Sequence, residues 1–146
     1  MMLSKHFSLS EFTRSETASR RGIANEPDAE TIEHLKETAA LLEQVRELLG
    51  HPITITSGFR SLKLNSAIGS KPTSAHVTGY AADFVSPGYG SVLDVCRAIM
   101  DSTIAFDQLI REFDNGTSGW IHISAAPEMR MQCLTIDATG TRAGIG

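Results

Sequence analysis

The sequence predicts an α+β domain in which helices pack on a small, mainly antiparallel sheet. Three observations carry that prediction. A long amphipathic helix near the N-terminal end is followed by several short β-rich segments with alternating apolar residues. Two of those segments are joined by a polar run, Asp114-Asn115-Gly116-Thr117-Ser118-Gly119, that reads as a hairpin turn. No internal repeat, low-complexity tract or linker divides the 146 residues, so a single domain over 1–146 is expected.

Residues 1–27 read as an irregular N-terminal arm. Phe7, Leu9 and Phe12 are placed to pin it to the body, and Gly22, Asn25 and Pro27 interrupt regular structure. The first strong helix spans about Asp28 to Leu49. Its apolar residues Ile32, Leu35, Leu42, Val45 and Leu49 recur at helical spacing. Asp28 and Glu30 suit the positive end of the helix dipole, and Gly50 with Pro52 ends the run. Ile53–Thr56 alternates and reads as a strand. Ser57–Thr78 is rich in Ser, Gly, Asn and Pro, which predicts a long loop with one helical turn around Leu62–Ile68. Tyr80–Val85 reads as a second strand, and Val92–Met100 as a second helix with Val92, Val95, Cys96 and Ile99 turned inward. Ala105–Phe113 and Trp120–Ser124 read as the third and fourth strands. Met129–Ile136 is expected to add an edge strand, and 137–146 to form a loose Gly-rich tail.

Composition removes several functional classes. Apolar residues make up 41% and charged residues 21%, which is ordinary for a globular chain. Thirteen Lys+Arg against 17 Asp+Glu give a net charge of -4, so there is no electrostatic footprint for nucleic acid or an anionic membrane. No apolar run approaches the length of a membrane-spanning helix, and MMLSKHFSLSEF lacks the apolar centre of a secretory signal. Cys96 and Cys133 stand alone, which excludes a cysteine zinc site; they read as two reduced, mostly buried thiols, with one disulfide between them as the alternative.

Strand parity then groups the polar residues. In Trp120-Ile121-His122-Ile123-Ser124, the two isoleucines face one way, and His122 faces the other with Trp120 and Ser124. Asp83 faces opposite to Ala82 and Phe84, and Glu112 shares a face with Ile110 and Gln108. If these strands are neighbours, His122, Asp83 and Glu112 converge, and His76 lies in the loop feeding the strand of Asp83. Two imidazoles and a carboxylate suffice to hold a catalytic Zn²⁺ with a position open for water. A second carboxylate outside the ligand set then suits general acid–base work. His6, His34 and His51 match no such pattern. His34 reads as a solvated helix residue, His6 and His51 as loop residues.

The order of these residues adds a resemblance. SGFRSLKLNSAIGSKPTSAHVTGYAADF, followed by LIRE and WIHIS, resembles the D-alanyl-D-alanine carboxypeptidase-type zinc peptidases of the hedgehog/DD-peptidase fold. The shared pattern is an SG-aromatic-RS segment, then S-x-H with an Asp seven residues after the His, then a His on the final strand. FSLSEFTRSETASRRGIANEP and LTIDATGTRAGI are similar to the small phage endolysin-like branch, so the likeness covers nearly the whole chain. It implies that His76, Asp83 and His122 bind Zn²⁺. It implies that Arg60 holds a substrate carboxylate or polarises the scissile carbonyl, for which its planar fork suits it. Ser74 is expected to orient the ligand loop or touch substrate, and Trp120 to line the cleft. The family's D/E-x-x-H carboxylate is missing, because Gly119 occupies that position. Leu109-Ile110-Arg111-Glu112 resembles the alternative, a Glu ending the preceding strand, so Glu112 is the expected general base. Asp107 is the reserve, although strand parity turns it away, and Asp114 lies in the turn.

The resemblance therefore implies a zinc peptidase acting on the peptidoglycan stem peptide, as an endo- or carboxypeptidase, with no nucleic-acid partner and no integral membrane segment, and active as a monomer. A phage or prophage endolysin is the expected setting, held in the host bacterial cytoplasm before lysis and acting on the cell wall. A zinc-containing, non-catalytic binding module or virion structural protein is the alternative, and a hydrolase of other small amides a third. The bond cut is left open between L-Ala–D-Glu, diaminopimelate–D-Ala and D-Ala–D-Ala.

Overall fold

The computed structural model describes residues 1–146. The N-terminal arm is not irregular throughout. It holds two short helices, α1 (Leu9–Thr13) and α2 (Glu16–Arg21). Ser8 and Glu11 form a capping box on α1, and Ser15 caps α2, so local side chains satisfy the first N–H groups of each. The long helix α3 (Ala29–Leu49) starts on Asp28, whose carboxylate accepts from the Thr31 N–H, and stops at Gly50 in the left-handed region. Beyond it come β1 (Thr54–Ser57), α4 (Leu62–Ala67), α5 (Ala75–Thr78) and β2 (Ala81–Val85). The predicted loop from 57 to 78 thus carries a second helical turn, α5, that periodicity over four residues is too short to reveal. Helix α6 (Val92–Met100) has its predicted bounds and a Ser91–Asp94 capping box. The remaining strands are β3 (Gln108–Glu112), β4 (Trp120–Ser124), β5 (Gln132–Asp137) and β6 (Gly140–Ala143).

The six strands form one sheet in the order β1-β2-β4-β3-β5-β6. Every pairing is antiparallel except β3 with β5. One face is apolar: Ala82, Phe84, Leu109, Ile121 and Ile123 pack with Leu35, Leu42 and Val45 of α3 and Val95, Cys96 and Ile99 of α6. Burying such side chains is the main stabilising term in a fold of this size. The other face carries the polar residues, and the short helix α5 packs against β2. The predicted α+β class is the observed one.

Two expectations at the C-terminal end need correction. Strand β5 is interior, lying between β3 and β6. The tail is not loose: β6 pairs with β5, Ile145 is buried in the core, and Thr135 Oγ1 donates to the Gly144 carbonyl at 2.7 Å. Gly-rich composition suggested mobility, but strand pairing and one buried isoleucine outweigh it.

Candidate metal centre

Asp83 and His122 are direct cross-strand partners on β2 and β4, and Glu112 pairs with Trp120 across β3 and β4. The parity argument therefore places all four on the polar face. His76 arrives from α5, whose first turn is capped by the Ser74 hydroxyl, accepting from the His76 N–H at 3.3 Å. Ser74 thus orients the loop that delivers His76.

The geometry is tight. Asp83 Oδ1 lies 3.2 Å from His76 Nε2 and 3.0 Å from His122 Nδ1. The three prospective ligand atoms all lie within 4.8 Å of one another, and all three residues are buried. Glu112 Oε1 stands 3.7 Å from His122 Nδ1, next to the group but outside it. His76 Nδ1 meets the Gly58 carbonyl at 2.7 Å. A carbonyl only accepts, so Nδ1 carries the hydrogen and the Nε2 lone pair points at Asp83. Burial pushes His76 below its ordinary pKa, more than the Asp83 charge lifts it, which favours that neutral form. An imidazole lone pair facing a carboxylate oxygen at 3.2 Å is an arrangement that could hold a cation.

Electrostatics separates the two carboxylates. Burial alone would raise Asp83, but His76 and His122 hold it far below the usual carboxylate range. Glu112 goes up, because burial and the Asp83 charge outweigh His122 and Arg60. Burial lowers His122, yet the hydrogen bond and charge of Asp83, with Glu112, reverse the shift upward.

Arg60 belongs to the same field. Its backbone N–H donates to the His76 carbonyl at 3.1 Å, and its charge acts on Asp83 and Glu112. It makes no ion pair, and its buried Nε has no partner. Trp120 is the cross-strand partner of Glu112, whose carboxylate it helps to keep ionised, and its ring tilts against Phe113 at 5.5 Å. An unsatisfied guanidinium donor in an interior that also holds Asp83 and Glu112 is unusual and suits a site that receives a polar ligand.

The remaining candidates go elsewhere. Asp107 does not face away. The ladder is irregular where β3 begins, with the Asp107 N–H bonded to the Ser124 carbonyl and that of Gln108 to the Ser124 hydroxyl, so alternation does not extend to it. It lines the same cleft as His122, but Arg130 grips both its oxygens. Asp114 is paired with Arg111 at 2.9 Å. Gly119 explains the missing D/E-x-x-H carboxylate: its φ is 114°, and a Cβ there would lie 2.6 Å from the Asp114 Cα. Only glycine fits. His34 is not merely solvated; it stacks on Tyr80 at 4.1 Å, and its Nδ1 donates to the Thr78 carbonyl. Sequence reading also missed Asn25, treated there as a breaker. Its amide donates to the Thr13 and Phe59 carbonyls and accepts from the Ser61 N–H, fastening the Gly58–Arg60 segment to the arm. No local pattern signals such a long-range role.

A cleft of about 730 Å³ opens beside His122, between the loop carrying Ser74 and the segment after β4. Two buried imidazoles and a carboxylate, with a second carboxylate alongside and an open cleft, have the layout of a single-metal hydrolase. The family model of Peptidase M15 matches residues 5–124, and the chain belongs to that family. The family is one of zinc peptidases, and His76, Asp83 and His122 form a buried group suited to a metal ion. A search of curated proteins finds no match. No helix is long and apolar enough to cross a membrane.

Proposed function

We propose that the chain is a zinc-dependent peptidoglycan hydrolase that cuts an amide bond of the stem peptide, in the manner of a phage or prophage endolysin. The observation that carries this is the buried His76–Asp83–His122 group with an unligated, raised-pKa Glu112 at its edge. The donor set fits zinc: one carboxylate and two imidazoles, no thiolate, and a His76 tautomer held by the Gly58 carbonyl with its lone pair free. Bound there, zinc supplies Lewis acidity, polarising a carbonyl and lowering the pKa of water.

The protein's own groups do the rest. Glu112 takes a proton from the attacking water at its carboxylate and returns it to the leaving amine. Its raised proton affinity suits both halves of that task. Arg60, with an unpartnered Nε, binds a substrate carboxylate or the developing oxyanion. Trp120 and Ser74 border the substrate path. We place its action at the cell wall, after accumulation in the host cytoplasm, as a monomer.

The test is incubation of the zinc-loaded protein with purified sacculi, with and without chelator, followed by mass spectrometry of the released muropeptides. Expected are stem-peptide cleavage products that vanish with chelator. Zinc binding with no released peptide would favour a binding module.

A further inference from the structure

Arg130 is held as few surface arginines are. Its backbone N–H donates to Asp107 Oδ1 at 3.0 Å, its Nε to the same oxygen at 2.8 Å, and its Nη2 to Oδ2 at 2.9 Å. The Asp107 side chain is 3% exposed, whereas that of Arg130 is 53% exposed. On either side of Arg130 the chain adopts a conformation that L side chains rarely take, with φ 42° at Met129 and 55° at Met131. The segment is tied down at Met131, whose N–H donates to the Phe106 carbonyl, and at Gln132, whose N–H donates to that of Asp107. Backbone strain of this kind persists where the surroundings impose it, and it gathers at ligand-binding positions.

The result is an oriented guanidinium on the wall of the cleft that contains His122, facing the loop of Lys71 and Ser74. Asp107 takes two of its five N–H groups, leaving Nη1 and one hydrogen of Nη2 directed elsewhere. Glu128, exposed on the same segment, is the other carboxylate near it and forms no ion pair with it.

We infer that Arg130, positioned by the buried Asp107, is a specificity residue that binds a stem-peptide carboxylate away from the scissile bond. The inference rests on the peptidase reading for its substrate class. A planar fork with free N–H groups pairs with a carboxylate and loses one partner charge when that group is amidated. The enzyme therefore discriminates free-acid stem peptides from amidated ones.

The experiment measures binding, so that turnover is not its only readout. Stem tetrapeptides with each side carboxylate amidated in turn are titrated into the zinc-loaded Glu112→Gln chain. Calorimetry and the fluorescence of Trp120, the lone tryptophan, report binding. One amidation is expected to weaken binding about tenfold, within the range of a charge-assisted pair. The double variant Asp107→Asn with Arg130→Gln, which leaves no buried unpaired charge, should erase that difference. Arg130→Lys keeps Asp107 paired without the fork and should hold at most about a threefold preference, so the test stands even if the double variant unfolds. Equal binding of every acid and amide, a preference that survives the substitutions, or no binding of any peptide overturns the inference. Carboxylate-selective binding by the Glu112→Gln chain, when the parental zinc-loaded protein releases nothing from sacculi, would sink the peptidase reading and leave this one standing.

Discussion

Glu112 and Asp83 share a sheet face but differ in what they touch. Asp83 meets two imidazoles within 3.2 Å, and its proton affinity collapses. Glu112 meets one at 3.7 Å and is dominated by burial, which raises it. Two carboxylates driven apart in this way suit a ligand and an acid–base group respectively. Glu112→Gln is expected to retain zinc and fold while losing about two to four orders of magnitude in sacculus lysis. Turbidity assays alongside metal analysis of the dialysed protein check this. His122→Ala removes a prospective ligand instead, so metal analysis should find the zinc lost along with the activity. The parity of β2, β3 and β4 made these residues readable, because alternation holds wherever the ladder is regular. It failed at Asp107, where the ladder is not.

At the scale of elements, the site depends on the segment joining β1 to α4. Gly58 supplies the carbonyl that sets the His76 tautomer, and it lies against the arm. A Cβ at Gly58 would stand 2.5 Å from the Phe12 carbonyl oxygen, while Phe59 donates its N–H to that same oxygen at 2.7 Å. Gly58→Ala is expected to cost about 1–3 kcal/mol through overpacking, measured by chemical denaturation. Because the shift moves a hydrogen-bond partner of a prospective ligand, zinc affinity should fall about 10–100-fold in a competitive titration. The arm is therefore part of the site's support, although it contributes no group to the chemistry.

For the whole molecule, the first residues are held to α3 by Glu43, which accepts from the Ser4 hydroxyl and from the His6 backbone and ring. Burial opposes ionisation of Glu43, but these bonds prevail and lower its pKa. A lowered folded-state value means that the contribution is fully present above the ordinary glutamate value of about 4.3. It is lost as pH falls through the lowered value. Thermal melts between neutral pH and acid should show Glu43→Gln less stable at neutral pH, with the gap to the parent closing as pH drops. Cys96, whose thiol burial pushes up to about 12, belongs to the same packed interior and not to any reactive site.

Local pattern by itself determined the α3 and α6 helices, the strands β2 and β4, and the shared face of His122, Asp83 and Glu112. Those features follow from periodicity and capping, which act over a few residues. The ordered SG-aromatic-RS, S-x-H and strand His segments brought the family within reach. Only tertiary structure decided that the tail enters the sheet, that Arg130 claims Asp107, that Gly119 has no room for a side chain, and that Asn25 and Phe12 brace the Gly58 carbonyl. Each of these depends on backbone groups distant in sequence meeting in space. Their energies come from contacts that short-range pattern does not encode.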